Sequence, residues 1–142
     1  MPFKFIDDVA TADCAVEIEA VTLPGIFVDA AKSLTARMID PATVRSVQSW
    51  KIELSEDNIR DLLYSWLSEL VFIRDSENVL FSEFEVGNLR TNGECSLSAV
   101  ARGEKINHDR HDIVVEVKAV TMHLFNVEKQ GNSWKAFVVF DL

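Results

Sequence analysis

The sequence is poor in cysteine and glycine, and both shortages exclude classes of site. Its 2 cysteines, Cys14 and Cys95, lie far apart and lack the CxxC spacing of redox and zinc sites, so we expect both to be small buried apolar residues. Its 5 glycines form no phosphate-binding loop, and no nucleophile motif is present. Both absences argue against a phosphate-transferring enzyme.

Positive charge is also scarce. The chain has 14 Lys and Arg against 23 Asp and Glu, a net charge of −9. Such a surface repels the phosphate backbone, so we expect no direct binding of nucleic acid. An acidic surface attracts a basic protein or a cation, but many acidic proteins are simply well solvated, and charge alone does not decide between these cases.

The 142 residues lack any apolar run long enough to span a membrane. Acidic residues follow a short apolar patch at the start, a pattern unlike that of a signal or transit peptide. We therefore expect a cytoplasmic protein with a single domain over residues 1–142, large enough to bury a core without disulfides or a structural metal.

Apolar periodicity predicts two helices. Thr22 is a candidate N-cap and Pro24 lies in the first turn of the first helix, which Asp40-Pro41 ends. The second helix is predicted over 55–75, with Ser55 as N-cap. Each helix carries an apolar stripe at i, i+3, i+4 spacing, which predicts that it packs on a sheet.

Six segments have the composition or the alternation of strands: 14–20, 44–54, 79–86, 95–101, 113–120 and 134–140. Turns are predicted at Gly87-Asn88, Asn92-Gly93 and Gly131-Asn132. The last segment, WKAFVVF, is apolar on both alternating faces, which predicts an internal strand. The pattern indicates an α+β, two-layer domain, with two helices packed on a mixed or largely antiparallel sheet of about six or seven strands.

An internal last strand gives the chain end a chemical consequence. It brings the carboxylate of Asp141 and the terminal carboxylate of Leu142 close to the body of the fold, where two nearby anions repel unless a cation joins them. Calcium or magnesium suits such oxygen ligands, and a further carboxylate is then needed. Asp13 and Asp40 are the candidates, although spacing alone does not show that they meet.

The histidines give weaker signals. His108 and His111 have i, i+3 spacing in a polar turn, which is typical of exposed side chains more than of metal ligands. His123 follows a strand-like run, so a structural role is at least as well supported as a catalytic one.

The chain resembles the archease family over nearly its whole length. The resemblance rests on these matches, in order: TAD at 11–13, IFVDAAKSLTARMID, SEDNIRDLLYSWLSELVFIRDSE, GE at 103–104, VKAVTMH at 117–123 and the closing WKAFVVFDL. It implies a protein cofactor of the RNA ligase that joins 2′,3′-cyclic-phosphate or 3′-phosphate ends to 5′-hydroxyl ends in tRNA splicing and RNA repair. Members are not ligases; they promote guanylylation of the ligase histidine and so allow multiple turnover.

The resemblance also implies functional residues. It assigns metal binding and ligase activation to Asp13, Lys118 and Asp141 with the Leu142 end group, with Asp40 a weaker candidate and calcium or another divalent cation as the cofactor. The chain departs from the family at Val9-Ala10, where members have an acidic residue and a histidine. Any role of that histidine is therefore missing here.

Other interpretations stay open. From spacing alone, Asp13 is more typical of a turn aspartate that binds its own backbone, and Lys118 of a solvated lysine. The alternative for Asp141 is a frayed end, against which the two-sided apolar strand argues. An alternative function is a small metal-dependent hydrolase or phosphotransferase that uses Asp13 and Asp141 on an ion, with His123 or Lys118 as acid-base partner. A third reading makes the cation only a clip for the chain end.

Overall fold

A computed structural model describes residues 3–6 and 13–142. In this part of the chain two α-helices, a short 3₁₀ turn and seven strands form an α+β fold, as predicted. The elements are β1 (Phe3–Ile6), β2 (Asp13–Ala20), α1 (Leu23–Met38), the 3₁₀ turn (Pro41–Thr43), β3 (Gln48–Glu56), α2 (Ile59–Glu77), β4 (Val79–Arg90), β5 (Cys95–Lys105), β6 (Ala119–Gln130) and β7 (Ser133–Asp141).

The strands form two antiparallel sheets. The first has the order β1-β2-β7-β6 and the second the order β3-β5-β4. β7 lies between β2 and β6, which confirms that the last strand is internal. Both edges of β7 are hydrogen-bonded, and this pairing fixes the end of the chain.

The two helices connect the sheets. α1 contacts β2 and β7 of the first sheet and β4 of the second, and α2 contacts β6 together with β3, β4 and β5. Between the helices, the indole N–H of the fully buried Trp66 donates to the carbonyl oxygen of Phe27 at 2.9 Å. One apolar cluster thus serves both sheets.

The predicted start of α1 is correct, whereas α2 begins later in the chain than predicted. The backbone N–H of Gly25 donates to the Thr22 hydroxyl at 3.1 Å, which confirms the predicted N-cap of α1. The N-cap of α2 is Asn58, not Ser55, because the alternation of β3 continues through Glu56 before the helix begins. The Asn58 side chain accepts a hydrogen bond from the backbone N–H of Asp61 at 2.8 Å.

One strand, β1, was not predicted, and two further local predictions need correction. The predicted turn at Gly87-Asn88 lies inside β4. The predicted strand over 113–120 begins only at Ala119, and 111–118 belongs to no helix or strand. The turns at Gly93 and Gly131 are confirmed, with φ of +76° and +61°, values that favour glycine.

A buried carboxylate fixes the start of the segment between β5 and β6. Glu104 is 8% exposed and accepts hydrogen bonds from the Arg45 backbone N–H at 2.7 Å, from the Arg110 guanidinium and from His111 Nε2 at 3.1 Å. His111 Nδ1 accepts from the Asn107 backbone N–H at 2.9 Å, so Nε2 carries the proton that is donated to Glu104.

The pKa of Glu104 reflects this environment. Burial raises the pKa, but the hydrogen bonds from Arg110, Arg45 and His111 and the charge of Arg110 outweigh burial and lower the pKa from 4.5 to about 2. Because the folded-state pKa is the lower one, the carboxylate stabilises the fold above pH 4.5, and this contribution is lost as pH falls toward 2.

We expect Glu104→Gln to destabilise the protein at neutral pH, because a neutral amide replaces the charged acceptor of these bonds. The difference in unfolding free energy between wild type and variant should shrink as pH falls from 4.5 to 2. Urea titrations at several pH values measure it, with Glu116→Gln, an exposed carboxylate of the 106–118 segment, as control. A difference that does not change with pH would contradict the assigned network.

The close pairing of β4 with β5 makes a second prediction. A Cβ built on Gly103 would lie 1.8 Å from the carbonyl oxygen of Leu80, whereas one on Gly87 finds its nearest atom at 3.7 Å. We expect Gly103→Ala to lower the free energy of unfolding by about 3 kcal/mol or more, since the backbone of β4 must move. Gly87→Ala is the matched control, and an equal effect of the two in denaturant titration would be the contrary result.

Candidate functional site

The register of the first sheet brings two predicted acids together. Asp13 begins β2, Asp141 ends β7, and the two are directly opposite partners in the antiparallel ladder. Such partners have Cβ atoms about 4.5–5.5 Å apart, with side chains on the same face. Asp13 and Asp141 are both half-buried at this end of the ladder, next to Cys14 and Phe140 of the core.

The chain end lies beside this pair. Leu142 is half-buried and packs against the core, so its terminal carboxylate is held one residue beyond Asp141. A cavity of about 390 Å³ lies at this corner of the fold, where Asp13, Arg37 and Leu142 are among the lining residues. Asp13 therefore adjoins both Asp141, across the ladder, and Leu142, across the cavity.

Lys118 reaches the site through its main chain. Its backbone N–H donates to the carbonyl oxygen of Asp141 at 2.7 Å, directly before β6 pairs with β7. Lys118 is exposed. In the described part of the chain, no ion pair within 4.0 Å joins it to Asp13 or Asp141. Only the main chain of Lys118 is therefore bonded to the site.

Asp40 has a local role. Its side chain accepts a hydrogen bond from the backbone N–H of Ala42 at 3.0 Å and caps the 3₁₀ turn, and its carbonyl oxygen accepts from the Thr43 hydroxyl at 2.7 Å. Asp40 is exposed and is not among the residues that line the cavity of Asp13 and Leu142. The structure therefore does not bring Asp40 to the other candidates.

The donor set suits a hard cation but is small. Two aspartates and the chain terminus offer only oxygen, the donor type of calcium and magnesium. Within residues 3–6 and 13–142, no group of three or more His, Cys, Asp or Glu side chains is arranged to hold a metal ion. A cation bound here would therefore fill its coordination sphere with water or with oxygen atoms of a partner.

The histidines lie elsewhere. His108 is exposed, as expected, but His111 is 4% exposed and structural, which corrects its expected exposure. Both line a separate cavity of about 560 Å³ that contains none of the predicted site residues. His123 is exposed in an irregular part of β6 between Thr121 and Asn126, and its backbone N–H donates to the Thr121 hydroxyl at 2.9 Å.

Sequence reasoning missed Arg37, which lies in the last turn of α1 and lines the cavity with Asp13 and Leu142. The available signal was its position: a basic residue one turn before a predicted helix end, where the helix dipole favours positive charge. The departure at Val9-Ala10 falls outside the described residues, as do Thr11 and Ala12 of the TAD motif.

The segment that carries Lys118 is held at three points. Its start is fixed by the bonds of His111 and Arg110 to Glu104, its middle by the Val114 backbone N–H, which donates to the Met38 carbonyl oxygen at 2.8 Å, and its end by the bond of Lys118 to Asp141. These bonds hold the segment along its length and fix the backbone of Lys118 next to Asp141. No helix of the described residues is long and apolar enough to cross a membrane.

Comparison with known proteins places the chain in one family. The model of the Archease protein family matches residues 3–142. The protein archease of Methanopyrus kandleri is 37% identical over 100% of both chains, and that of Methanothermobacter thermautotrophicus is 35% identical over 99% of this chain and 98% of its own.

Two solved structures have the same fold as this chain. The solution structure of Methanobacterium thermoautotrophicum protein 1598 superposes with a TM-score of 0.86 at 34% identity and covers 99% of each chain. The crystal structure of an archease, described as a possible chaperone, from Thermotoga maritima has a TM-score of 0.61 at 18% identity, covers 94% of this chain and 93% of its own, and shares the fold. The chain belongs to the archease family.

Proposed function

We propose that this protein is a non-enzymatic activator of an RNA ligase of tRNA splicing and RNA repair. In this proposal it promotes guanylylation of the ligase and so allows multiple turnover, and a divalent cation, calcium in the first instance, binds at Asp13, Asp141 and the Leu142 terminus. The observation that carries the proposal is the pairing of Asp13 with Asp141 beside the fixed chain end in a member of the archease family.

The geometry supports a cation that is shared with a partner. Two carboxylates on one face of a sheet repel each other, and a divalent ion between them removes that repulsion. The few protein ligands leave coordination positions open to groups of a partner. Lys118, exposed beside Asp141, offers an ammonium group to a partner's phosphate or carboxylate.

The charge of the protein supports a protein partner over direct contact with RNA. A net charge of −9 opposes the approach of an RNA backbone. The same charge steers the protein toward a basic surface and raises the rate of encounter with it. In this proposal the ligase binds the RNA, and the acidic activator binds the ligase in the cytoplasm.

The direct test is multiple-turnover ligation by a cognate ligase, with GTP, a divalent metal and RNA that ends in a 2′,3′-cyclic phosphate. Asp141→Asn should lower the stimulated rate by on the order of tenfold or more, because a ligand to the shared cation loses its charge. Glu19→Gln, which removes an exposed carboxylate from the other end of β2, is the matched control. Equal rates with wild type, with Asp141→Asn and without the protein would refute the proposal.

Thermal unfolding of the same variants separates activation from a merely structural cation. If the ion is only a clip for the chain end, Asp141→Asn will lose the calcium-dependent rise in melting temperature yet will still activate the ligase when folded. The proposal predicts that activation is lost at temperatures where the variant is fully folded.

A second test addresses the alternative of a metal-dependent hydrolase or phosphotransferase. We expect the isolated protein to release no phosphate from a generic phosphoester or nucleotide in the presence of calcium, magnesium or manganese, since no phosphate-binding loop or nucleophile motif accompanies the proposed ion site. Turnover that a chelator abolishes, and that Asp13→Asn abolishes too, would favour the enzyme instead.

A further inference from the structure

The edge strand β6 of the first sheet carries a bulge. Its regular pairing with β7 stops after Thr121 and resumes at Asn126, and the residues between them stand opposite Val138 alone. The backbone N–H of His123 donates to the Thr121 hydroxyl at 2.9 Å, and Phe125 is buried in the core. Both halves of the bulge are therefore fixed to the fold. Bulges at sheet edges commonly re-aim a side chain.

Leu124, inside this bulge, has a left-handed backbone that its side chain disfavours. Its φ is +58°, and among the described residues other than glycine only Asn78 also has a positive φ. Asn78 is the C-cap of α2, where this conformation is common and asparagine tolerates it. Leucine has no such tolerance, so the bulge holds Leu124 in a strained conformation.

The bulge also leaves two large apolar side chains in solvent. Met122 is 43% exposed and Leu124 is 59% exposed. Neither side chain gains full burial within the protein, so packing inside this chain does not offset the strain at Leu124. Strained backbone of this kind is concentrated at functional sites.

The surroundings of the bulge indicate what it contacts. β6 begins directly after Lys118, so Leu124 lies within about 20 Å of Lys118 along the strand. Next to Leu124, Phe125 packs edge-on against Tyr64 with ring centroids 5.7 Å apart. Asp61 lies one turn before Tyr64 on α2 and adds negative charge on this side. One interface of standard size, about 800 Å² on each partner, covers both the bulge and Lys118.

We propose that Met122 and Leu124 are a docking contact that inserts into an apolar recess in a basic surface of the RNA ligase. This inference rests on the proposed function, from which it takes the ligase as partner. The two apolar side chains fit an apolar recess, and Asp61 with the net charge of −9 fits a basic rim around it. Docking then buries the side chains that the bulge holds in water.

Multiple-turnover ligation by the cognate ligase, measured against the concentration of this protein, tests the contact. Leu124→Asn and Met122→Gln should each raise the half-saturating concentration about tenfold or more, the scale of burying one large apolar side chain. The maximal rate should stay close to that of wild type. Val47→Asn removes an exposed apolar side chain directly before β3 and is the matched control. Equal half-saturating concentrations for wild type and Leu124→Asn overturn the inference.

Thermal unfolding separates docking from a role in the fold. Asparagine tolerates the left-handed backbone, and most of the Leu124 side chain is exposed. Leu124→Asn should therefore keep the melting temperature of wild type or raise it. A melting temperature several degrees lower would show that Leu124 is needed for packing within the chain, and it would overturn the docking role.

The same experiments distinguish this inference from the proposed function. If wild type does not stimulate the ligase, the proposed function fails and the docking contact fails with it. If wild type and both variants stimulate at the same half-saturating concentration, only the docking contact fails. Sedimentation tests a second copy as occupant: a wild-type dimer that Leu124→Asn dissociates would assign the bulge to self-association and overturn the ligase as its partner.

Discussion

The chain end has a defined position because β7 is hydrogen-bonded along both edges. A terminal strand at the edge of a sheet frays, and Asp141 and the terminal carboxylate would then sample many positions. With β2 on one side and β6 on the other, Asp141 is held opposite Asp13 and beside Lys118. The candidate site is therefore a product of strand order: three points far apart in sequence meet because one strand lies between two others.

That strand order depends in turn on the core. The first sheet and the second are joined by α1 and α2, which contact both, and the buried Trp66 links the helices. The Glu104 network is distant from Asp141 along the chain but holds the start of the segment that delivers Lys118. The site is small and its supports extend across the domain, so changes far from the carboxylates can disturb it without touching them.

Much of this fold can be predicted from the local sequence pattern. Where the predictions are wrong, the reasons are physical. The two-sided apolar pattern of 134–140 predicts an internal strand, because a strand that is buried on both faces is apolar at successive residues. The same logic fails at 113–120, because apolar alternation reports one-sided burial and not a hydrogen-bonded neighbour: Val117 is buried there without a ladder. The four-residue β1 is too short for a periodic signal, and the division into two sheets depends on pairings between distant segments.

Some residues of the candidate site can be predicted from the sequence and others cannot. Asp141 and Leu142 can be predicted as site residues because an internal last strand brings its end close to the body of the fold. Asp13 can be predicted because a cation there needs a further carboxylate. Their register cannot be read from spacing, since a slip of one residue would put the two acids on opposite faces. Arg37 and the Glu104 network were missed because they depend on which distant segments meet at a helix end, and local patterns carry no such information.

The proposed cation site rests on the carboxylates of the paired residues Asp13 and Asp141. Arg37 lines the cavity beside Asp13. A crystal structure determined from crystals grown with calcium is the most direct measurement of the central claim. The account predicts one ion whose ligands include carboxylate oxygens of Asp13 and Asp141; well-ordered carboxylates with no ion between them at millimolar calcium would contradict it.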